Sequence, residues 1–187
     1  MDDQQEERIK KWQERFSKWR PELWVDMASQ LINETERGCA LVSAALMEML
    51  VRELLCAKCR QLSDISDKEL NKIFKGFESQ FSNFASCIRL ARAMGLIGEL
   101  DKNLLLEFAI WRNNFAHNFL IGPINHEGIK GFVGPVKDDI EGIVDNAVQQ
   151  CQGDEISRDH LYVVAWTARM SIVLKAAIFA AENDLTQ

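Results

Sequence analysis

The residues of this chain whose types and spacing suit chemistry are Arg112, Asn113, Asn114 and His117, within residues 104–120, LLLEFAIWRNNFAHNFL. Histidine, with an ordinary pKa of about 6.5, is suited to proton transfer at neutral pH. Arginine and asparagine carry donors that hold an anion or orient a partner group. At about 3.6 residues per helical turn, Leu104, Phe108, Trp111, Phe115 and Phe119 form one apolar stripe. Leu106, Ile110, Asn113 and His117 form a second row that begins apolar and ends polar. Asn113 and His117 share a face, whereas five residues of separation put Arg112 and His117 about 140° apart. A polar group buried without a partner costs about 1–3 kcal/mol. The cluster therefore needs partners, either from the fold, as an internal clasp, or from a ligand.

Counter-charges stand at residues 34–37, ETER, where Glu34, Glu36 and Arg37 crowd the mouth of the next helix. Carboxylates there complement the positive end of the helix dipole, and Glu34 and Glu36 are the expected partners of Arg112 and His117. Residues 39–57 are almost wholly Ala, Leu, Val, Met and Cys, with Glu48, Arg52 and Glu53 as the only charges, so that helix must be largely enclosed. Glu48 and Arg52 are four apart in the order that favours an ion pair. Gly38 predicts a close approach to another backbone.

The other elements follow from periodicity and punctuation. Residues 4–20 carry Ile9, Trp12, Phe16 and Trp19 at helical spacing, with Arg8, Lys10, Lys11, Arg15, Lys18 and Arg20 against a single acid, Glu14, from Arg8 onward. This basic amphipathic extension docks on its own bundle or offers Trp12, Phe16, Trp19, Lys11 and Arg15 to a partner. Pro21 marks a break after it. Ser66 and Glu69 read as a capping box, Ser82 or Asn83 as an N-cap, and Gly95 as a C-terminal stop. Residues 121–135, with four glycines and two prolines, read as the one long loop, placed to cover the polar cluster and bring His126 to it. Ile140, Ile143, Val144, Ala147, Val148 and Cys151 predict a one-sided helix, and Ser157 caps the last one. Seventeen of residues 161–181 are apolar, yet Arg169 and Lys175 lie among them, which favours a central bundle helix over a membrane span.

A chain of 187 residues with 47% hydrophobic content predicts a single domain over 1–187. A formal charge of -6 disfavours a dedicated nucleic-acid binder. The polar start, MDDQQEERIKKW, lacks a leader pattern and predicts a cytoplasmic protein. Five cysteines without a secretory signal read as reduced thiols. Cys56 and Cys59 form a CxxC, but no second ligand pair follows and no strand precedes it, so neither metal nor cofactor is expected. With no strand alternation anywhere, the expected fold is an all-α, single-domain bundle of about seven helices without a sheet, the last helix offering a subunit interface for a homodimer.

Three stretches resemble the mannitol operon repressor family: ETERGCALVSAAL at 34–46, FSNFASCIRLARAMGLIG at 81–98 and WRNNFAHNF at 111–119. The resemblance covers residues 31–120 and departs at Cys39, Asn83 and Trp111; the Trp-rich start has no counterpart in it. It implies a non-catalytic negative regulator of a sugar-alcohol utilisation operon. Because the family shows no obvious DNA-reading motif, the resemblance implies action through a regulatory protein partner, with direct DNA or RNA contact left open. Arg112, Asn113 and His117 also resemble the loose Arg-to-His signature of HEPN domains, dimerising helical bundles that include metal-independent ribonucleases. That alternative implies proton transfer by His117 at the RNA 2′-hydroxyl, with Arg112 holding the scissile phosphate and Asn113 orienting either group.

Overall fold

A computed structural model describes residues 28–62, 65–74, 81, 83–117, 123–150 and 156–183. Among the described residues the fold is all-α, with seven α-helices and no strand. They are α1 (Glu36–Leu62), α2 (Asp67–Phe74), α3 (Phe84–Ala93), α4 (Glu99–His117), α5 (His126–Val133), α6 (Lys137–Gln150) and α7 (Arg158–Glu182). A single 3₁₀ turn, Gly134–Val136, joins α5 to α6. Residues 28–33 are also helical. The basic extension at 4–20, with Trp12, Phe16, Trp19, Lys11 and Arg15, lies outside the described residues, as do Pro21 and Ser82.

The two longest helices, α1 and α7, form the centre. Cys39, Ala40, Ser43, Ala44, Met47, Leu50, Val51 and Leu54 of α1 are buried, and so are residues 161–167, Met170, Ser171 and Leu174 of α7. Small residues recur on both helices, which lets their axes approach and brings larger neighbours into contact. Of the described helices, α7 alone has the length and composition to cross a membrane. Its buried first half marks it as a core helix of this bundle.

Helix α4 carries the predicted apolar stripe into the core. Leu104, Phe108, Trp111 and Phe115 are all buried. Phe108 stacks on Trp166 of α7 with ring centroids 4.5 Å apart. Phe132 of α5 closes edge-on to both, 5.2 Å from Phe108 and 4.9 Å from Trp166, and Trp111 lies 5.2 Å from Phe132. Offset and edge-to-face pairs of this kind contribute beyond their buried area, by about 0.5–1.5 kcal/mol each.

Three punctuation signals act as expected. The Ser66 backbone N–H and hydroxyl both donate to Glu69, and the Glu69 N–H donates back to Ser66 Oγ, forming a capping box. Asn83 caps α3, accepting from the Ala85 N–H at 2.9 Å. Gly95 sits at φ +71°, and its N–H and that of Leu96 return to Arg92 and Ala91, a left-handed C-terminal stop.

Two expectations need correction. Residues 121–135 are not a long loop, because 126–133 form α5, with Ile129, Phe132 and Val133 buried. Asn125 caps it by accepting from the Gly128 N–H at 2.9 Å. Its glycines serve packing: a Cβ at Gly131 would stand 2.9 Å from Glu107 Oε2, and one at Gly128 would stand 3.4 Å from the Trp111 indole nitrogen. The stripe of α6 is also narrower than predicted. Ile140 and Val144 are buried, whereas Ile143 and Val148 are 55% and 40% exposed; Cys151 lies outside the described residues.

Helix α6 is fastened to α7 by Glu141, which accepts from the Tyr162 hydroxyl at 2.6 Å and from Arg158 at 2.5 Å. These bonds, Tyr162 first, hold the Glu141 carboxyl below its ordinary pKa. A carboxylate with a lowered folded pKa stabilises above its unfolded pKa and loses that contribution as pH falls through the folded one. Tyr162→Phe is expected to move the Glu141 titration, followed by NMR, upward toward the ordinary carboxylate value and to soften the acid limb of stability below it. Within the aromatic cluster, Phe108→Ala is expected to cost about 3–5 kcal/mol in urea unfolding. Among the described residues the buried Trp166 Nε1–H has no acceptor. Trp166→Phe therefore removes an unpaired donor along with some volume and is expected to cost less than Phe108→Ala.

Candidate functional site

The predicted polar cluster separates into two sites at the ends of different helices. At the first, the chain enters α1 through Thr35, whose hydroxyl accepts from the Gly38 N–H at 3.0 Å and whose carbonyl accepts from the Cys39 N–H at 2.8 Å. Thr35 thus caps α1, and the Glu34 carboxylate lies against the Cα of Gly38, filling the space a Cβ would need. Gly38 accommodates this side chain rather than the neighbouring backbone expected from the sequence. Glu36 in the first turn of α1 accepts from the Ile124 N–H at 2.5 Å and from the Ser157 hydroxyl at 2.9 Å. Ser157 in turn caps α7 by accepting from the His160 N–H at 3.1 Å. The buried His160 ring nitrogen Nε2 lies 2.9 Å from the Leu31 carbonyl.

One carboxylate therefore ties together the start of α1, the segment entering α5 and the start of α7. Its charge is placed where two helix N-termini, α1 and α7, present positive dipole ends. His126, predicted to approach the cluster, is exposed and has Asp159 of α7 as its acidic neighbour, at 4.0 Å.

The second site holds Arg112. Its guanidinium reaches Glu48 of α1 at 3.4 Å and its neighbour Asn113 Oδ1 at 3.2 Å, so its acidic partner is Glu48 and neither Glu34 nor Glu36. Glu48 is also bonded by Arg52, one turn on, at 2.6 Å. Arg52 donates as well to the Phe74 carbonyl at the C-terminus of α2, the end that favours a cation. Side-chain exposure is 26% for both Glu48 and Arg112 and 12% for Arg52, which places two guanidiniums on one carboxylate in a half-buried seam. Arg37 is half-buried in the first turn of α1. Asn113 and Asn114 are exposed. His117 is the last residue of α4, and its side chain lies outside the described part.

The clasp expected between Arg112 and Glu34 or Glu36 does not form: Arg112 pairs with Glu48, and Glu36 with the Ile124 N–H and the Ser157 hydroxyl. Glu48, Arg52, Ser157 and the Ile124 N–H were missing from the predicted site. The Glu48–Arg52 spacing was the signal available, since a charged pair on an enclosed helix has an environment to satisfy. Nothing in the sequence connects residue 48 to residue 112 or residue 36 to residue 157.

Three of the described thiols are held protonated by burial. Burial pushes Cys39 up to about 12 and raises Cys59 and Cys87, the opposite of what a nucleophilic or metal-binding thiol needs. No group of three or more His, Cys, Asp or Glu residues among the described residues is arranged to hold a metal ion. Comparison of the chain with protein-family models, curated proteins and solved structures finds no match.

The two sites differ in strength. Hydrogen bonds to a charged acceptor contribute about 1.5–3 kcal/mol, so Glu36→Ala is expected to destabilise by at least that amount and to speed exchange of the Ile124 amide. Arg112→Ala removes one long, quarter-exposed ion pair and is expected to cost less than about 1 kcal/mol. Chemical denaturation of both variants, with hydrogen exchange at Ile124, checks this order.

Proposed function

We propose that this chain is a non-catalytic negative regulator of transcription, of the kind the mannitol operon repressor family provides for a sugar-alcohol utilisation operon. It works in the cytoplasm through a protein partner rather than through a DNA-reading helix. The three stretches within residues 31–120 that resemble that family support the reading, and the formal charge of -6 is poorly suited to holding a phosphate backbone. The observation that weighs most against ribonuclease chemistry is the engagement of Arg112 by Glu48 and Asn113. An arginine that stabilises a phosphoryl transition state must have its donors aimed at the reacting oxygens. On a regular helix positions 112 and 117 are also about 140° apart.

The test has a cellular and a purified arm. Transcript from a mannitol-utilisation operon in the same cells is expected to rise on deletion of this chain and to return to the repressed level with the native protein, Arg112→Ala or His117→Ala. Purified native protein is expected to leave a mixed-sequence single-stranded RNA intact without added metal. Unchanged transcript on deletion would overturn the regulatory reading. Cleavage that native protein performs and a folded His117→Ala variant lacks would replace it with the ribonuclease.

A further inference from the structure

The second half of α7 is apolar on every side. From Ile172 to Ala181 the one polar side chain is Lys175, and a helix hydrophobic all round belongs in an interior. Yet of these residues only Leu174 and Ala181 are buried. Ile172 is 61% exposed, Ala176 is exposed, and Val173, Ile178, Phe179 and Ala180 are partly so. Helix α6 runs antiparallel to α7, with Asp145 on Arg158 and Asp139 on Arg169, and it starts at Lys137. Its cover therefore ends near the level of Arg169, and the turns from Ile172 onward lie beyond it.

The place where the described chain begins points to the occupant. The Leu31 carbonyl lies 2.9 Å from His160 Nε2 at the start of α7, and Ala28 packs on the core. Twenty-seven residues precede Ala28. They include the stripe Ile9, Trp12, Phe16 and Trp19, whose aromatic side chains suit an apolar face. Ile9 to Trp19 spans about 15 Å as a helix, the same length as Ile172 to Glu182. His160 and Ile172 are about 18 Å apart along α7, within the roughly 30 Å that the chain between Trp19 and Ala28 can span. With Trp19 at Ile172 and Ile9 at Glu182, the segment runs antiparallel to α7. The reverse direction would carry Trp19 to Glu182, about 33 Å from His160, which takes up the whole of that span. Antiparallel placement also brings Arg8, Lys10 and Lys11 to the C-terminus of α7, where Glu182 and the negative end of the helix dipole favour cations. We propose that residues 9–19 dock as a helix, antiparallel to α7, on its second half from Ile172 to Glu182. Docking of this kind holds whether or not the chain regulates transcription.

Photo-cross-linking of the full chain tests the contact. p-Benzoylphenylalanine placed at Ile172 or Ala176, both exposed, is expected to link within one chain. Mass spectrometry should map the links from position 172 to residues 16–19 and from position 176 to residues 12–16. The same group at Ile143 of α6, 55% exposed, is expected to form no link to residues 9–19. Trp12→Glu is expected to abolish the link from position 176 while leaving the helical circular dichroism intact. If one variant fails to fold, the remaining ones decide. Links between two chains, which would put a second copy on this face, links to other segments only, no link at all, or a link that survives Trp12→Glu would each overturn the proposal.

Discussion

The stacking of Phe108 on Trp166, closed edge-on by Phe132, is the contact on which the placement of the polar side chains of α4 depends. It fixes the rotation of α4 about its own axis, because the stripe through Leu104, Phe108, Trp111 and Phe115 must face inward for these rings to meet. Once that rotation is set, every other residue of α4 has its direction. Arg112, about 100° round the helix from Trp111, is carried to the side where α1 lies and meets Glu48. Asn113 and Asn114 fall on the outer side and are exposed. The polar end of the helix is therefore arranged by an aromatic core that has no polar chemistry of its own.

Glu36 adds a second constraint of a different kind. An apolar contact is tolerant of small slips, whereas a carboxylate bonded at 2.5 Å and 2.9 Å to groups 88 and 121 residues away fixes a register. The Ile124 N–H precedes the cap of α5, and the Ser157 hydroxyl is the cap of α7. Glu36, one of the acids crowded at the mouth of α1, which resemble a binding site when read along the chain, thus acts as the joint between three helix starts. Its chemistry is spent on backbone and cap groups that would otherwise lose their water without replacement.

The legible parts of the fold were those set by local rules. The α4 stripe, the Ser66–Glu69 box, the Asn83 and Ser157 caps and the Gly95 stop each follow from residues within one or two turns of one another. Helix α5 was illegible because its glycines carry the composition of a loop while serving close packing against Glu107 and the Trp111 indole. The α6 stripe was overread because periodicity marks which residues share a side, not how wide the contact is. Ile143 lies beyond its edge. The partner of Arg112 was illegible for a further reason: several acids were equally plausible counter-ions, and only the rotation of α4 against α1 selects Glu48.

That selection bears on how charged residues in enclosed helices should be weighed. An ion pair across two helices needs the same residue types as a catalytic pair, and both resist substitution by apolar groups. What separates them is where the donors point. Arg112 directs its donors to Glu48 and to its own neighbour, and Glu48 also accepts from Arg52, so the seam is organised around its own carboxylate. Among the described residues Asn113 and Asn114 of α4 point outward from this seam, and Leu41, Val42 and Met49 of α1 are exposed. The charges of this seam are therefore satisfied within the bundle, by groups of α1, α2 and α4.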